Sequence, residues 1–189
     1  DKELNSLLNL NWLYIDPEGT LWEIGKKGKI FRYDRIHDTF ELVYKLPIED
    51  FKDLPAPITF SWIDHNNHIW LCNEETIFLY NTRTEEVTHV KNCLSEAIND
   101  IEQIDESHYF IGTEMGIHHA QLKDNTLQLL PCDKLDNVNI QVNDLHFDPK
   151  IRKLFIGDAA KLAQSTVGQP QQFGFVRFQM PAHVGQLLH

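Results

Sequence analysis

Three cysteines, Cys72, Cys93 and Cys132, are all that the 189 residues contain, and no two are spaced as C-x-x-C. A local zinc or dithiol redox motif is therefore excluded. An odd number leaves one disulfide plus a free thiol, or three unpaired thiols. Three buried thiols are expected, because cysteine packs as a small hydrophobe. No apolar run reaches the 18 or more residues of a membrane-spanning helix. No basic stretch followed by an apolar one opens the chain, so no signal peptide is visible, and a start at Asp1 fits a mature protein or an excised fragment. Helical periodicity is missing beyond a turn or two. Positive charge is scarce: 17 Lys and Arg stand against 28 Asp and Glu, a formal charge of −11. Such a surface repels phosphate backbones and anionic lipid, and otherwise serves solubility.

What is present is a repeat. Hydrophobic residues make up 42% and aromatics 11%, enough for a packed core. Residues 11–25 read NWLYIDPEGTLWEIG, followed by KIFRYD at 29–34. Residues 59–71 read TFSWIDHNNHIWL, followed by TIFLYN at 76–81. A third copy holds NDIEQID at 99–105 and YFIGTEMGI at 109–117; a fourth holds NDLHFDPK at 143–150 and LFIGD at 154–158. The turn aspartates Asp16, Asp64, Asp105 and Asp148 are 48, 41 and 43 residues apart. The aromatics Trp22, Trp70, Phe110 and Phe155 follow them by six, six, five and seven residues.

Each element has a physical reason. Short runs rich in aromatic and β-branched residues, bounded by Asp, Asn, Gly and Pro, form strands between tight turns. In Asp16-Pro17-Glu18-Gly19, aspartate suits the first turn position, proline presets φ at the second and glycine fits the fourth. Asn67 takes the glycine place in the second copy, being the next residue to tolerate a left-handed backbone. Third strands are expected at 30–33 and 77–80, each ending in an Asp or Asn turn. Fourth strands are expected at 39–44, 86–90, 126–130 and 173–178. Four strands in 41 to 48 residues is the size of one β-propeller blade. The fold is expected to be all-β, with about four four-stranded antiparallel blades at approximately 10–53, 54–95, 96–137 and 138–180. The aromatic series Trp22, Trp70, Phe110 and Phe155 is expected to fill the gaps between blades.

Residues 180–189 (MPAHVGQLLH) align with 54–63 (LPAPITFSWI), which precede Asp64, so 181–189 is expected to be the first strand of a further blade. Four blades could close a ring that this strand seals, but residues 11–15 already supply a first strand to the first blade. A fragment of a larger propeller is the favoured reading. An incomplete ring exposes blade faces and edges, which invites self-association.

Few constellations point to chemistry. His65 and His68 share a turn and His118 and His119 follow Gly116, but a metal centre needs several converging ligands, and solvated turn histidines are expected. The turn aspartates lack the spacing of a calcium loop, and accepting backbone hydrogen bonds accounts for them. Glu74-Glu75 and Glu85-Glu86 are adjacent, so on a strand they point to opposite faces and fail as a glycosidase pair. No nucleophile-elbow, phosphate-loop or H-E-x-x-H motif occurs. No catalytic residue, metal ligand, cofactor or individual ligand-binding residue is assigned. Asp16, Trp22, Asp64, Trp70, Asp105, Phe110, Asp148 and Phe155 are assigned as structural repeat positions.

The segments Ile15-Asp16 to Leu21-Trp22, Ile111-Gly112-Thr113 to Gly116-Ile117, and Tyr33-Asp34 carry a resemblance. Over about residues 10–160 the chain resembles the two-component regulator propeller repeats of the extracytoplasmic sensor domains of hybrid two-component systems. The second and fourth copies depart from the pattern at the later glycine, and the third turn lacks glycine. The resemblance implies a periplasmic sensor of a saccharide or other nutrient. In the parent protein it would be joined to a transmembrane segment, a histidine kinase and receiver, and often a DNA-binding domain. This chain would then be no enzyme, would bind a small molecule or oligosaccharide and no nucleic acid, and would meet the membrane only through the parent's other segments. A propeller enzyme acting on polysaccharide and a protein-binding scaffold are the rival readings.

Overall fold

A computed structural model describes residues 10–25, 27–46, 58–73, 76–91, 93–94, 96–132, 135, 139–158 and 175–179. The chain divides into two compact units, Asp1–Lys91 and Asn92–His189. Every regular element among the described residues is a strand.

The first unit holds two antiparallel meanders. β1 (Leu10–Ile15), β2 (Leu21–Gly25), β3 (Lys29–Asp34) and β4 (Thr39–Lys45) pair in sequence order. So do β5 (Phe60–Ile63), β6 (His68–Cys72), β7 (Thr76–Asn81) and β8 (Val87–Lys91). The second unit repeats the design with β9 (Ile98–Gln103), β10 (His108–Thr113), β11 (Ile117–Lys123) and β12 (Thr126–Leu130). Its last sheet is β13 (Val142–Asp148), β14 (Lys153–Asp158) and β15 (Phe175–Gln179). These are blades of the propeller type: short strands, each hydrogen-bonded to the next in the chain. One sequence expectation changes. The strand near 173–178 was placed fourth in its blade, but it pairs directly with β14, Gly157 opposite Phe175 and Lys153 opposite Gln179, and so takes third place. The expectation was set by distance from Asp148, whereas the ladder is set by which strand fills the open edge of β14. The opening strand expected at 181–189 lies outside the described residues.

Alternation at the two-residue strand period sorts each meander into two faces. In the first unit, Trp12, Tyr14, Trp22, Ile24, Ile30 and Tyr44 of the first meander close on Ile63, Ile69, Leu71, Phe78, Tyr80 and Val87 of the second. Trp22 meets Tyr80 edge to face, with ring centroids 5.9 Å apart. In the second unit, Phe110 and Ile117 close on Val142, Leu145, Phe147, Leu154 and Ile156. There Phe110 meets Phe147 edge to face at 5.9 Å. Trp70 is fully buried against Trp62, but Phe155 is only half-buried and stacks on His146. The aromatic series is therefore not uniform: its fourth member does not fill a gap between described sheets.

The turn chemistry follows the residues that build it. Gly19 adopts φ 84° and Asn67 φ 66°. Their N–H groups donate to the carbonyls of Asp16 (2.9 Å) and Asp64 (3.3 Å). After the third strands, Asp34 accepts from the N–H of Ile36, and Asn81 accepts from those of Arg83 and Thr84. Asp124 and Asn125 both take positive φ in the two-residue turn between β11 and β12, as a primed hairpin turn requires.

Candidate functional site

The repeat positions form one local device per copy. Asp16 Oδ1 accepts the N–H groups of Glu18 (2.9 Å) and Thr20 (2.8 Å), and its Oδ2 accepts the indole N–H of Trp22 at 2.9 Å. Asp64 does the same with Asn66 (2.9 Å), His68 (2.8 Å) and the indole of Trp70 (3.0 Å). The hairpin carries the residue six positions on back over the turn, so a carboxylate buried to 5% or 1% exposure meets a buried N–H donor. The sequence reading explained these aspartates by backbone bonds alone; the indole bond was missed. Its signal was the equal six-residue spacing of Asp and Trp in the first two copies.

In the third copy Phe110 has no N–H to offer. Asp105 instead accepts from the N–H groups of Ser107 (2.9 Å) and His108 (3.0 Å) and from the His108 ring, whose Nδ1 lies 2.8 Å from Oδ1. In the fourth, Asp148 accepts only backbone bonds among the described contacts, from Lys150 (2.9 Å) and Ile151 (3.3 Å).

His108 leads to the candidate site. Its ring lies 5.7 Å from that of His119, which also tilts against Phe110 at 5.6 Å. His119 occupies the β11 position directly opposite Phe110 and is 8% exposed. His118, His119, Leu129, Leu130 and Pro131 line a groove of about 320 Å³. The Nε2 atoms of both histidines are buried and accept or donate no hydrogen bond. Burial, and then the neighbouring His108, hold the His119 imidazole below its ordinary pKa, so it is neutral at neutral pH. His118 Nε2 has Glu96 Oε2 3.8 Å away. The groove thus sets two imidazole rings over a leucine and proline floor. Such a lining suits an uncharged, hydroxyl-bearing ligand with an apolar face, because the neutral imidazole of His119 carries one donor and one acceptor. Sequence analysis had singled out His118-His119 but had no means of seeing that Leu129, Leu130 and Pro131 face them.

The other candidates resolve differently. His68 is no solvated turn histidine: it is half-buried, with Nδ1 3.2 Å from Asp64 Oδ2 and Nε2 3.3 Å from Asn81. Glu74 and Glu75 lie outside the described residues. Glu85 and Glu86 sit in the turn before β8, not on a strand; Glu85 has φ 58° and pairs with Arg32 at 3.2 Å. Among the described residues, Asp34, His37 and Glu41 could hold a divalent ion, with ligand atoms within 4.8 Å of one another. They straddle the β3–β4 turn, a convergence across a hairpin that their spacing alone did not reveal. His37 already donates to Asp34 at 2.5 Å, which raises the imidazole pKa and lowers that of the carboxylate. The thiols are all free, as one of the two cysteine arrangements required, yet only Cys72 is buried; Cys132 is half-buried and Cys93 is exposed. Cys93 follows the last strand of its meander rather than occupying a strand interior.

No protein-family model matches the sequence, and no curated protein matches it. Solved structures do. The chain is similar to the extracellular domain of the hybrid two-component system BT4673 of B. thetaiotaomicron, with 16% identity and a TM-score of 0.59 over 79% of this chain. It is also similar to the extracellular domain of the hybrid two-component system BT3049 of the same organism, with 18% identity and a TM-score of 0.57 over 79% of this chain. At that identity the likeness is one of fold. The chain spans about a fifth of each of those structures, 19% and 21%.

Proposed function

We propose that this chain is part of the extracytoplasmic, ligand-sensing propeller of a membrane-anchored hybrid two-component system. In this reading it binds a small uncharged ligand, a saccharide or another hydroxyl-bearing nutrient, and catalyses nothing itself. The fold likeness to extracellular domains of two such systems carries the reading, with TM-scores of 0.59 and 0.57. The groove of the third blade supports the ligand class, since the neutral imidazole of His119 and the apolar floor match a sugar ring better than an anion. Ligand binding would act by favouring one arrangement of the sensor over another, which a downstream kinase reads. We place the first three blades at approximately 10–53, 54–95 and 96–137, with a fourth beginning near 138.

A thermal-shift screen of the chain against neutral mono- and oligosaccharides, with product analysis in parallel, tests the proposal. Stabilisation without turnover, lost in His119→Leu, is the expected outcome. Turnover of any saccharide, or a stabilising ligand indifferent to His119→Leu, would overturn the sensing role or the site respectively.

A further inference from the structure

The turn that follows the third strand is built twice in the first unit, from two different sets of side chains. Asp34 opens it in the first meander, where its Oδ1 accepts the N–H groups of Ile36 (2.7 Å) and His37 (3.3 Å). Asn81 opens it in the second, where its Oδ1 accepts those of Arg83 (2.9 Å) and Thr84 (3.1 Å). Asp38 and Glu85, the corresponding residues later in each turn, take φ 51° and 58°. The ladders continue the match, with Arg32 opposite Glu41 and Leu79 opposite Thr88. The backbone is the same, and a neutral amide with two threonines is enough to make it. The first meander places Asp34, His37 and Glu41 at the positions of Asn81, Thr84 and Thr88. Two carboxylates and an imidazole are therefore surplus to the turn.

These three groups converge. Each offers one ligand atom, and the three atoms lie within 4.8 Å of one another. The backbone bonds to Oδ1 fix the Asp34 carboxylate, whose Oδ2 lies 2.5 Å from His37 Nδ1. An ion pair of His37 with Asp34 has no need of Glu41. The nearby arginines are engaged elsewhere: Arg32, directly opposite Glu41, reaches Glu85 at 3.2 Å, and Arg35 donates to the carbonyl of Gly19 at 2.7 Å. Among the described residues no lysine or arginine pairs with Asp34 or Glu41. We propose that Asp34, His37 and Glu41 bind one divalent ion of the zinc class across the β3–β4 turn. A set of one nitrogen and two oxygens favours such an ion over calcium or magnesium, which take oxygen shells. Bonds of about 2.0–2.2 Å bring tetrahedral ligand atoms to about 3.4 Å from one another. His37 and Glu41 are exposed, so their side chains can rotate to close that distance. The ion takes the place of the proton between His37 Nδ1 and Asp34 Oδ2, and that proton leaves to water. A formal charge of −11 draws cations to the chain. The inference does not depend on the ligand-sensing proposal.

Calorimetric titration of the untagged, chelator-stripped chain with zinc chloride tests it. One equivalent is expected to bind, and zinc is expected to raise Tm where magnesium does not. Asp34→Asn, His37→Thr and Glu41→Thr copy the second meander residue by residue, so each should keep its circular dichroism. Losing even a group that only orients a ligand costs about 10–100-fold in metal affinity, so each variant should bind that equivalent at least about tenfold more weakly. Should one of them fail to fold, His37→Gln or Glu41→Gln replaces it. A wild-type chain without saturable zinc binding would overturn the proposal. So would an equivalent that survives Asp34→Asn combined with His37→Thr, which would put the ion at another of the ten histidines. Loss with His37→Thr but not with Glu41→Thr would mean adventitious binding to one imidazole, and the three-ligand site would fall.

Discussion

The first two repeats and the last two solve one problem with different parts. In each of the first two, a buried carboxylate is bonded to two backbone N–H groups and an indole, and the tryptophan that supplies the indole also fills the interior. In the third, a histidine replaces the indole as donor and the aromatic is a phenylalanine. In the fourth, the turn carboxylate is half-buried and has backbone partners only. The difference teaches that the aspartate is the invariant need of the hairpin, and that the third donor is required only where the carboxylate is taken out of water. Burying a carboxylate is costly unless hydrogen bonds replace its hydration. Asp64, at 1% exposure, is the extreme case.

The comparison breaks most visibly at that residue. Asp64→Ala removes the acceptor from the half-buried N–H groups of Asn66 and His68 and from the fully buried indole of Trp70. Stranding buried donors costs about 1–3 kcal/mol apiece, so a loss of roughly 3–5 kcal/mol is expected. Asp148→Ala exposes its N–H groups to water and should cost about 1 kcal/mol or less. Urea denaturation of the two variants measures the gap; equal losses would show that the indole bond contributes nothing.

A second contrast lies one ladder step away. Ile24 and Gly112 occupy the same repeat position, two residues beyond Trp22 and Phe110. Ile24 is fully buried in its core. At Gly112 a Cβ would lie 2.4 Å from Val142 Cγ1, because Val142 enters the space that the isoleucine side chain fills elsewhere. Gly112→Ala should therefore cost about 1–3 kcal/mol by overpacking. Adding Val142→Ala should recover much of that loss in the double variant, which denaturation curves of the three proteins would report.

Trp22→Phe converts the first repeat toward the third without providing the histidine. It leaves Asp16 Oδ2 short of a donor and should cost about 1–2 kcal/mol. The reciprocal Phe110→Trp gains nothing from Asp105, whose oxygens are engaged by His108, and crowds Phe147. Destabilisation in both directions, read by thermal unfolding, is the expected result; a stabilised Phe110→Trp chain would mean the donors are interchangeable.

How much of this was legible in the sequence follows from how local each feature is. The turns were legible, because Gly19 and Asn67 each answer to their own backbone angle. So were the meanders, since each strand pairs with its successor. The faces were half legible: the periodicity of Leu13, Ile15, Phe31 and Leu42 marks an apolar face, but no local rule says whether another sheet covers it. Least legible were contacts between strands set by register. The groove brings Leu129 and Leu130 to His118 and His119 only because β12 pairs with β11 as it does. The place of β15 beside β14 likewise depends on an edge, not on spacing.

The smallest expected effect concerns acid. His119 stands opposite Phe110 where Leu79 stands opposite Trp70, so the third repeat carries a titrating group at a position that is inert in the second. Burial and then His108 depress the folded-state pKa of His119 below the ordinary 6.5. The folded chain therefore favours the neutral ring. This contribution is complete above about pH 6.5 and is lost as the pH falls below it, because the unfolded chain takes up the proton first. Asp105 acts lower on the scale. Burial pushes its pKa up, but the N–H of Ser107, the ring of His108 and the His108 N–H outweigh burial and leave it below the ordinary 3.8. Its stabilisation is present above that value and is lost as the pH falls through the depressed one. Tm measured from pH 7.5 downward should thus decline in two steps, the first beginning near pH 6.5 and opposed by the protonation of Asp100, which burial pushes up to about 6, and the second near pH 4. His119→Leu, which copies the second repeat, should remove the first step and leave the second. A first step that survives His119→Leu would place the acid sensitivity at another histidine.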